Sequence, residues 1–326
     1  TVVLIQARMG STRLPGKVLK PIVGRPMIEL ILTRLSLCKE VDQLIVAASE
    51  ESENDELQAL VELNGYSCTR GSEKDVLKRF YESAKAASAD VVVRITGDCP
   101  LADPALIDQC IREFRQQNVD YFSNINPVTY PDGLDVEVMT IGSLERANNE
   151  VTTDYDREHV TPYIRNSEFF NKASLVNDRD FSDSRWTVDE PEDLAVISAV
   201  FEHFYPDLFF SWQKVLELQQ AQPELFKLNN RIIRNEGAIM GSGQKLYKRA
   251  KQIIPGGNML LSKRPEMFLP DHWPAYFSKS KGCNVWDLDN RKFLDMSIMK
   301  VGACILGYGD KEVDQAVQKA IKDGVS

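Results

Sequence analysis

Near the start of the chain, the segment Gln6-Ala7-Arg8-Met9-Gly10-Ser11-Thr12-Arg13-Leu14-Pro15-Gly16-Lys17 gathers what an anion with several phosphates requires. Arg8, Arg13 and Lys17 place three cations within ten residues. A triphosphate carries about four negative charges and needs donors at short range, which backbone N–H groups and such cations supply. Gly10 and Gly16 permit close backbone approach, and Ser11 and Thr12 add hydroxyls. The segment directly follows the apolar run Val2–Ile5, so it should lie at the carboxyl edge of a sheet, where open α/β folds bind ligands. Its spacing is neither GxxxxGK[ST] nor GxGxxG. An ordinary basic surface loop with turn glycines would have the same composition.

Two carboxylates are candidates for the same edge. Asp98 ends a third apolar run and precedes Cys99-Pro100, and Asp189 occupies the loop before a helix opened by Pro191. A pair of carboxylates from distant segments is a common way to hold Mg²⁺, which prefers oxygen ligands and keeps several waters. The competing readings are a strand-end turn for Asp98 and a helix N-cap for Asp189.

These residues need elements to hold them. Val2–Ile5, Leu44–Ala48 and Val91–Ile95 read as buried strands, being short apolar runs suited to a sheet covered on both faces. Between them Pro26–Cys38, Ser72–Ala87 and Asp103–Arg115 carry helical periodicity. Ser72-x-x-Asp75 resembles a capping box, and Asp103 is an expected N-cap with Pro104 at N1. Strand–helix alternation predicts an α/β domain with a mainly parallel, Rossmann-like sheet. Residues 190–235 read as mostly helical, and Gly237, Gly241 and Gly243 then break the pattern, so the boundary is set at 237. Residues 238–326 form a second, small α+β unit: a helix over Gln244–Ile253, two short strands around Asp289-Asn290, and an amphipathic helix carrying Val313, Ala316, Val317, Ala320 and Ile321.

Composition narrows the function classes. With 326 residues, 43% apolar and 27% charged, the chain can bury two cores. No run approaches the roughly 20 apolar residues that span a bilayer, so no membrane partner is expected. A net charge of −9 disfavours non-specific nucleic-acid binding. Six cysteines without CxxC spacing and three histidines argue against a zinc site or a disulfide framework and suit a reducing cytoplasm.

The basic segment resembles the signature of sugar-nucleotide cytidylyltransferases of the acylneuraminate and spore-coat-polysaccharide type. Further segments follow in the same order: Gly71-Ser72-x-x-Asp75-Val76-Leu77, Arg94-Ile95-Thr96-Gly97-Asp98-Cys99-Pro100-Leu101, Tyr130-Pro131-x-Gly133-Leu134-Asp135-Val136-Glu137, Arg157-Glu158-His159-Val160-Thr161-Pro162-Tyr163 and Trp186-Thr187-Val188-Asp189-x-Pro191-Glu192-Asp193-Leu194. The resemblance covers roughly residues 1–230. It implies a GT-A-type nucleotidyltransferase sheet and transfer of CMP from CTP, with Mg²⁺, to a small acidic or phosphorylated acceptor, releasing pyrophosphate. It assigns Arg8, Arg13 and Lys17 to leaving-group charge and Asp98 and Asp189 to the metal. Nucleotide binding falls to Ala7, Gly10, Ser11, Ala48, Gly71, Ser72 and Asp75, with base selection at the ends of early strands, involving Ala7, the Ala47–Ser49 region and the Gly71–Asp75 turn. The acceptor would lie over Tyr130, Asp135, Glu137, Arg157 and His159, with Arg185 as a further cation. Asp135 and Glu137 alternate with Leu134, Val136 and Val138, which points both carboxylates away from an apolar face. The plain alternative for residues 157–159 is a solvated helix face. Two other functions stay open: a GT-A glycosyltransferase using a nucleotide-sugar, for which Asp98-Cys99-Pro100 lacks the second acid of a DxD motif, and a non-catalytic nucleotide sensor.

Residues 239–326 resemble the opening of a class III aminotransferase of the glutamate-1-semialdehyde aminomutase type. The matching residues are Leu246-Tyr247-x-Arg249-Ala250, Ile254-Pro255-Gly256-Gly257, Lys281-Gly282, Trp286-Asp287-x-Asp289, Leu294-Asp295, Gly302 and Ile305-Leu306-Gly307-Tyr308-Gly309. The resemblance implies the front of a longer bifunctional protein. Pyridoxal phosphate would bind only in the complete parent, because the Schiff-base lysine of that family lies beyond Ser326. Such aminotransferases are commonly dimers, so a homodimer is a further expectation. Apolar surface at Ile298, Val301, Ile305 and Leu306 is expected to lack its cover.

Overall fold

In the computed structural model the first apolar run forms β1 (Val2–Gln6), with Val2 to Ile5 buried. The residues described are 1–11, 13–232, 242–258, 264–269, 273–296 and 305–324. The chain divides into two units, residues 1–234 and 235–326, and the expected boundary at 237 lies outside the described residues.

After β1 and a short hairpin over residues 21–26, the first unit runs α1 (Met27–Leu35), β2 (Gln43–Ser49), α2 (Asp55–Leu63), β3 (Ser67–Gly71), α3 (Val76–Ala86), β4 (Val91–Thr96), α4 (Pro104–Gln117) and β5 (Tyr121–Ser123). It continues with β6 (Glu137–Thr140), α5 (Ile141–Glu150), α6 (Asp154–His159), α7 (Pro162–Asn166), β7 (Lys172–Ser174), α8 (Pro191–Phe204), α9 (Trp212–Ala221) and α10 (Pro223–Phe226). These strands make one seven-stranded sheet in the order β3-β2-β1-β4-β6-β5-β7. The four strands β3, β2, β1 and β4 are parallel, and β6 runs antiparallel to both β4 and β5.

Side chains alternate across this sheet and bury two cores. Val3, Ile5, Val46, Val93 and Ile95 pack with Leu30, Ile31, Ile107, Ile111, Val196 and Val200 on one face. Val2, Leu4, Ile45 and Val92 pack with Leu77, Phe80, Ala84, Leu144 and Ala147 on the other. Four parallel strands put Gln6, Ser49, Gly71 and Thr96 along a single carboxyl edge, and the pairing of Arg94 with Glu137 brings the start of β6 to that edge as well.

Helix starts decide which acids remain available there. Asp103 caps α4, accepting from Leu106 N–H at 3.0 Å with Pro104 in the first turn, as its spacing predicts. The Ser72 expectation is corrected. Asp75 is the N-cap of α3, accepting from Lys78 N–H at 3.0 Å, while Ser72 Oγ accepts from Asp75 N–H at 3.1 Å. A full negative charge is the stronger partner for a helix N-terminus. In α8 the cap is Glu190, whose N–H donates to the Asp193 carboxylate at 3.0 Å, so Asp189 is not consumed as a cap.

The second unit contains α11 (Ser242–Ile253), a three-stranded antiparallel sheet of β8 (Phe277–Lys281), β9 (Asn284–Asp287) and β10 (Lys292–Leu294), and α12 (Lys311–Lys322). The buried Asp287 carboxylate shapes the β9–β10 turn by accepting from the N–H groups of Asp289 and Arg291 at 3.0 and 2.8 Å. Val313, Val317 and Ile321 on α12 are exposed, as are Ile305 and Leu306, whereas Ile298, Val301 and Gly302 lie outside the described residues. Among the described residues no helix is long and apolar enough to cross a membrane.

Candidate active site

The loop after β1 is closed by its own backbone. The Met9 carbonyl accepts from Ser11 N–H at 2.8 Å and from Gly16 N–H at 3.0 Å. Gly16 sits at φ +66°, a left-handed conformation that glycine adopts without a Cβ penalty. Asn54, fully buried, ties the loop to the sheet: its Oδ1 accepts from Met9 N–H at 2.8 Å and its Nδ2 donates to Ser49 Oγ at 2.8 Å. Nothing in the sequence pattern singles out Asn54, because its partners lie on two other segments.

The other end of the loop carries the charge centre. Lys17 Nζ donates to Asp98 Oδ2 at 3.1 Å, Asp189 Oδ1 at 2.8 Å and the Val188 carbonyl at 2.9 Å. Arg13 Nη2 stands 2.9 Å from the same Asp189 oxygen, and its Nε lies 3.8 Å from Glu190. Arg8 at the loop start pairs with Glu73 at 3.1 Å on the surface. Thr12 lies outside the described residues.

Close backbone packing fixes both carboxylates. Gly97 N–H donates to the Gln6 carbonyl at 2.8 Å, and a Cβ at Gly97 would stand 2.8 Å from that carbonyl oxygen and 3.0 Å from Ala7 Cβ. Val188 N–H donates to the Asp98 carbonyl at 2.8 Å, which locks the Asp189 segment beside the Asp98 turn.

Burial alone would push the Lys17 ammonium down, but Asp98 and Asp189 outweigh it and raise its proton affinity. Burial alone would push the Asp98 carboxyl up, but the Lys17 ammonium and bonds from Thr96 and Cys99 hold it well below the usual range. Lys17 and Asp98 are therefore each held in the charged form by the other.

Arg185, read from the sequence as a cation open to an acceptor, is instead committed within the protein. It is 7% exposed and forks onto Asp193 at 2.9 Å through both Nε and Nη2. Its Nη1 reaches Asp132 at 3.1 Å and its Nη2 reaches Asp189 Oδ2 at 3.5 Å. Burial opposes its charge, yet Asp193, Asp132 and Asp189 raise its proton affinity overall.

Several expected contacts are otherwise engaged. Glu137 is 2% exposed and bonds Arg94 at 2.5 Å and Tyr121 Oη at 2.6 Å, so it is a buried structural acid rather than an acceptor ligand. Its alternation with apolar residues was correct, but the face it occupies is covered. Tyr130 is buried with its ring edge-on to Trp212 at 5.5 Å, which makes it a core residue. Arg157 donates to the carbonyls of Asn148 and Val151, both at 2.7 Å, and pairs with Asp75 at 3.4 Å, linking α6 to the start of α3. That accounts for Arg157 and Asp75 as scaffold. Ala48 is fully buried in the sheet and Ala7 nearly so, leaving no side chain of either for a ligand. Asp135 and His159 are both half-buried, and the His159 ring lies 4.5 Å from that of the exposed Tyr155. Gly10 has Glu53 Oε1 2.6 Å from where its Cβ would be, Ser11 Oγ accepts from Leu14 N–H at 3.3 Å, and Gly71 packs on the Arg79 side chain.

The donor set fits a hard divalent cation. Asp98 and Asp189 already converge on one positive centre, the Lys17 ammonium. Among the described residues no group of three or more His, Cys, Asp or Glu side chains is placed to hold a metal. A cation here would complete its shell from phosphate oxygens and water, as Mg²⁺ commonly does.

Comparison with known proteins identifies the family of the first unit. Residues 2–221 match a protein family described as Cytidylyltransferase. The uncharacterized protein MJ1063 of Methanocaldococcus jannaschii is 36% identical over 233 residues, covering 70% of this chain and 94% of that protein. The spore coat polysaccharide biosynthesis protein SpsF of Bacillus subtilis is 34% identical over 207 residues, covering 61% and 85% respectively. A solved cytidylyltransferase from Leptospira borgpetersenii is 33% identical with a TM-score of 0.66, covering 69% of this chain and 96% of that one.

Proposed function

The chain belongs to the cytidylyltransferase family and is a CTP-using nucleotidyltransferase; from that premise we propose that it transfers CMP, with Mg²⁺, to a small acidic or phosphorylated sugar-like acceptor. In this reaction an acceptor oxygen forms a bond to the α-phosphorus of CTP. The bond from that phosphorus to its bridging oxygen breaks, pyrophosphate leaves, and a hydroxyl acceptor gives its proton to solvent. The observation that carries the reading is the convergence of Lys17 and Arg13 on Asp98 and Asp189 at the end of the loop.

The side chains divide the work by charge. Lys17 and Arg13 are drawn from the carboxylates onto the phosphates, and Arg8 leaves its exposed partner Glu73 to do the same. Their positive charge then faces the oxygen on which negative charge grows as pyrophosphate departs. Asp98 and Asp189, released from Lys17, would hold the divalent cation, which when bound polarises the α-phosphate and lowers the pKa of an acceptor hydroxyl. Arg185 keeps the Asp189 carboxylate oriented throughout. The name of the SpsF relative supports a sugar acceptor destined for a surface polysaccharide.

The test is calorimetric titration of CTP, UTP, GTP, ATP and dTTP with Mg²⁺ into wild type and Arg13→Ala. Selective CTP binding, weakened at least tenfold in the variant, is expected. Binding of a nucleotide-sugar in place of any triphosphate would replace this reading with a glycosyltransferase.

For the second unit we propose the opening segment of a class III aminotransferase, supported by its ordered motif residues; the family match ends at residue 221. Lys281 lies on the exposed strand β8 and Lys300 outside the described residues, so no step involving pyridoxal phosphate is assigned to this chain.

A further inference from the structure

Arg79 stands apart among the buried cations of the first unit. It is 1% exposed, and its Nη1 donates to the Ser72 carbonyl at 2.7 Å. Among the described residues its Nε and Nη2 have no hydrogen-bond partner. By contrast, the equally buried Arg34 donates to the carbonyls of Ala102, Leu208 and Phe210 at 3.3, 2.6 and 3.1 Å. Leaving charged N–H groups buried and unpaired costs more than an ordinary hydrogen bond returns, so such groups call for an explanation.

Position supplies one. The Arg79 stem lies against Gly71, where an added Cβ would stand 3.0 Å from Arg79 Cγ. The Ser72 bond places its head under the turn that follows β3. The charged groups that face it are Arg8, from the loop after β1, and Glu73. Burial and Arg8 pull the guanidinium down to about 10, with Glu73 opposing them. Arg8 and Glu73 pair with each other at 3.1 Å on the surface, so they are free to part when a nucleotide arrives.

The two unpartnered nitrogens are not an arbitrary pair. Nε and Nη2 form the lateral edge of the guanidinium, which offers two parallel N–H donors in a rigid plane. Guanine presents the same N–C–N donor pair to cytosine when it bonds cytosine N3 and O2. Uracil carries a donor N–H at N3, so it would set hydrogen against hydrogen on this edge. A bidentate arginine contact to a base edge discriminates by roughly 10- to 100-fold.

We propose that Arg79 is the residue that selects cytosine, its Nε–H and Nη2–H edge donating to N3 and O2 of the base while Nη1 holds the Ser72 carbonyl. This rests on the nucleotidyltransferase reading and assigns base choice to a residue that its motifs do not name. Gly71 is small because the Arg79 stem fills the space its side chain would take.

The experiment titrates cytidine, CTP and UTP into the whole chain and into Arg79→Lys. Lysine keeps the charge and can still donate to Ser72, but it lacks the parallel pair. Affinity for cytidine and CTP should fall about 10- to 100-fold, with UTP changed less than about threefold. In parallel, the ¹⁵N resonance of Arg79 Nε in the wild type should shift with cytidine and not with uridine, which keeps the idea testable if the variant is unstable. Equal losses for CTP and UTP, an unchanged preference, or an unmoved Nε signal would overturn the assignment. If the wild type binds no triphosphate, the proposed function falls and this inference with it. CTP binding whose selectivity survives Arg79→Lys removes this inference alone.

Discussion

Lys17 Nζ stands 2.8 Å from Asp189 Oδ1, across 172 residues of sequence, and the same ammonium holds Asp98 at 3.1 Å. One lysine thus pairs with both acids proposed to hold the metal. In the proposed function this pairing stores phosphate-directed charge on the carboxylates that would hold the cation.

That storage predicts the behaviour of Lys17→Met. Two carboxylates left facing each other would repel, and a divalent cation relieves that repulsion. The nucleotide-free variant should bind Mn²⁺ at least about tenfold more tightly than wild type, read by water-proton relaxation, while its CTP affinity falls by a similar factor. Unchanged Mn²⁺ binding would mean that Lys17 and the metal do not compete for one place.

Gly97 directly follows β4 and packs against the end of β1, where a Cβ would meet the Gln6 carbonyl oxygen at 2.8 Å rather than a flexible side chain. Gly97→Ala should cost about 1–3 kcal/mol in urea unfolding. It should also displace Asp98 and slow pyrophosphate release more than the stability loss explains. Gly142→Ala is the control: its nearest atom would lie at 3.9 Å in the helical turn opening α5, so it should be neutral or slightly stabilising.

Glu137 supplies a pH dependence. Burial pushes its carboxyl up, but Arg94, Arg165 and bonds from Thr161 and Tyr121 bring it below the usual 4.5. A folded-state value below the unfolded one contributes stability above the unfolded value, and that stability is lost as pH falls through the folded one. Stability should therefore decline from about pH 5 downward. Glu137→Gln should flatten that acid limb and cost about 3 kcal/mol at pH 7, because Arg94 loses its buried partner. An acid limb of undiminished slope in the variant would place the titrating group elsewhere.

Local chemistry was legible along the chain. The apolar runs of β1, β2 and β4 announce themselves because buried parallel strands tolerate few polar residues, and the caps at Asp103 and Pro104 follow from unsatisfied N–H groups within one turn. The loop from Arg8 to Lys17 concentrates three cations within ten residues, which marks it as a candidate, although composition alone does not separate it from a basic surface loop. Less could be read where a side chain's meaning depends on a distant partner. Glu137 and Arg157 have the residue types of ligands, yet Arg94, Asp75 and two carbonyls absorb them, and those partners come from other strands and helices. Arg185 is scaffold for the same reason, since Asp132, Asp193 and Asp189 meet it only once their segments are packed together. Periodicity and capping are short-range and repeat along the chain. The sharing of charge among Lys17, Asp98 and Asp189 exists only after the parallel sheet has aligned the ends of its strands, and that alignment is tertiary.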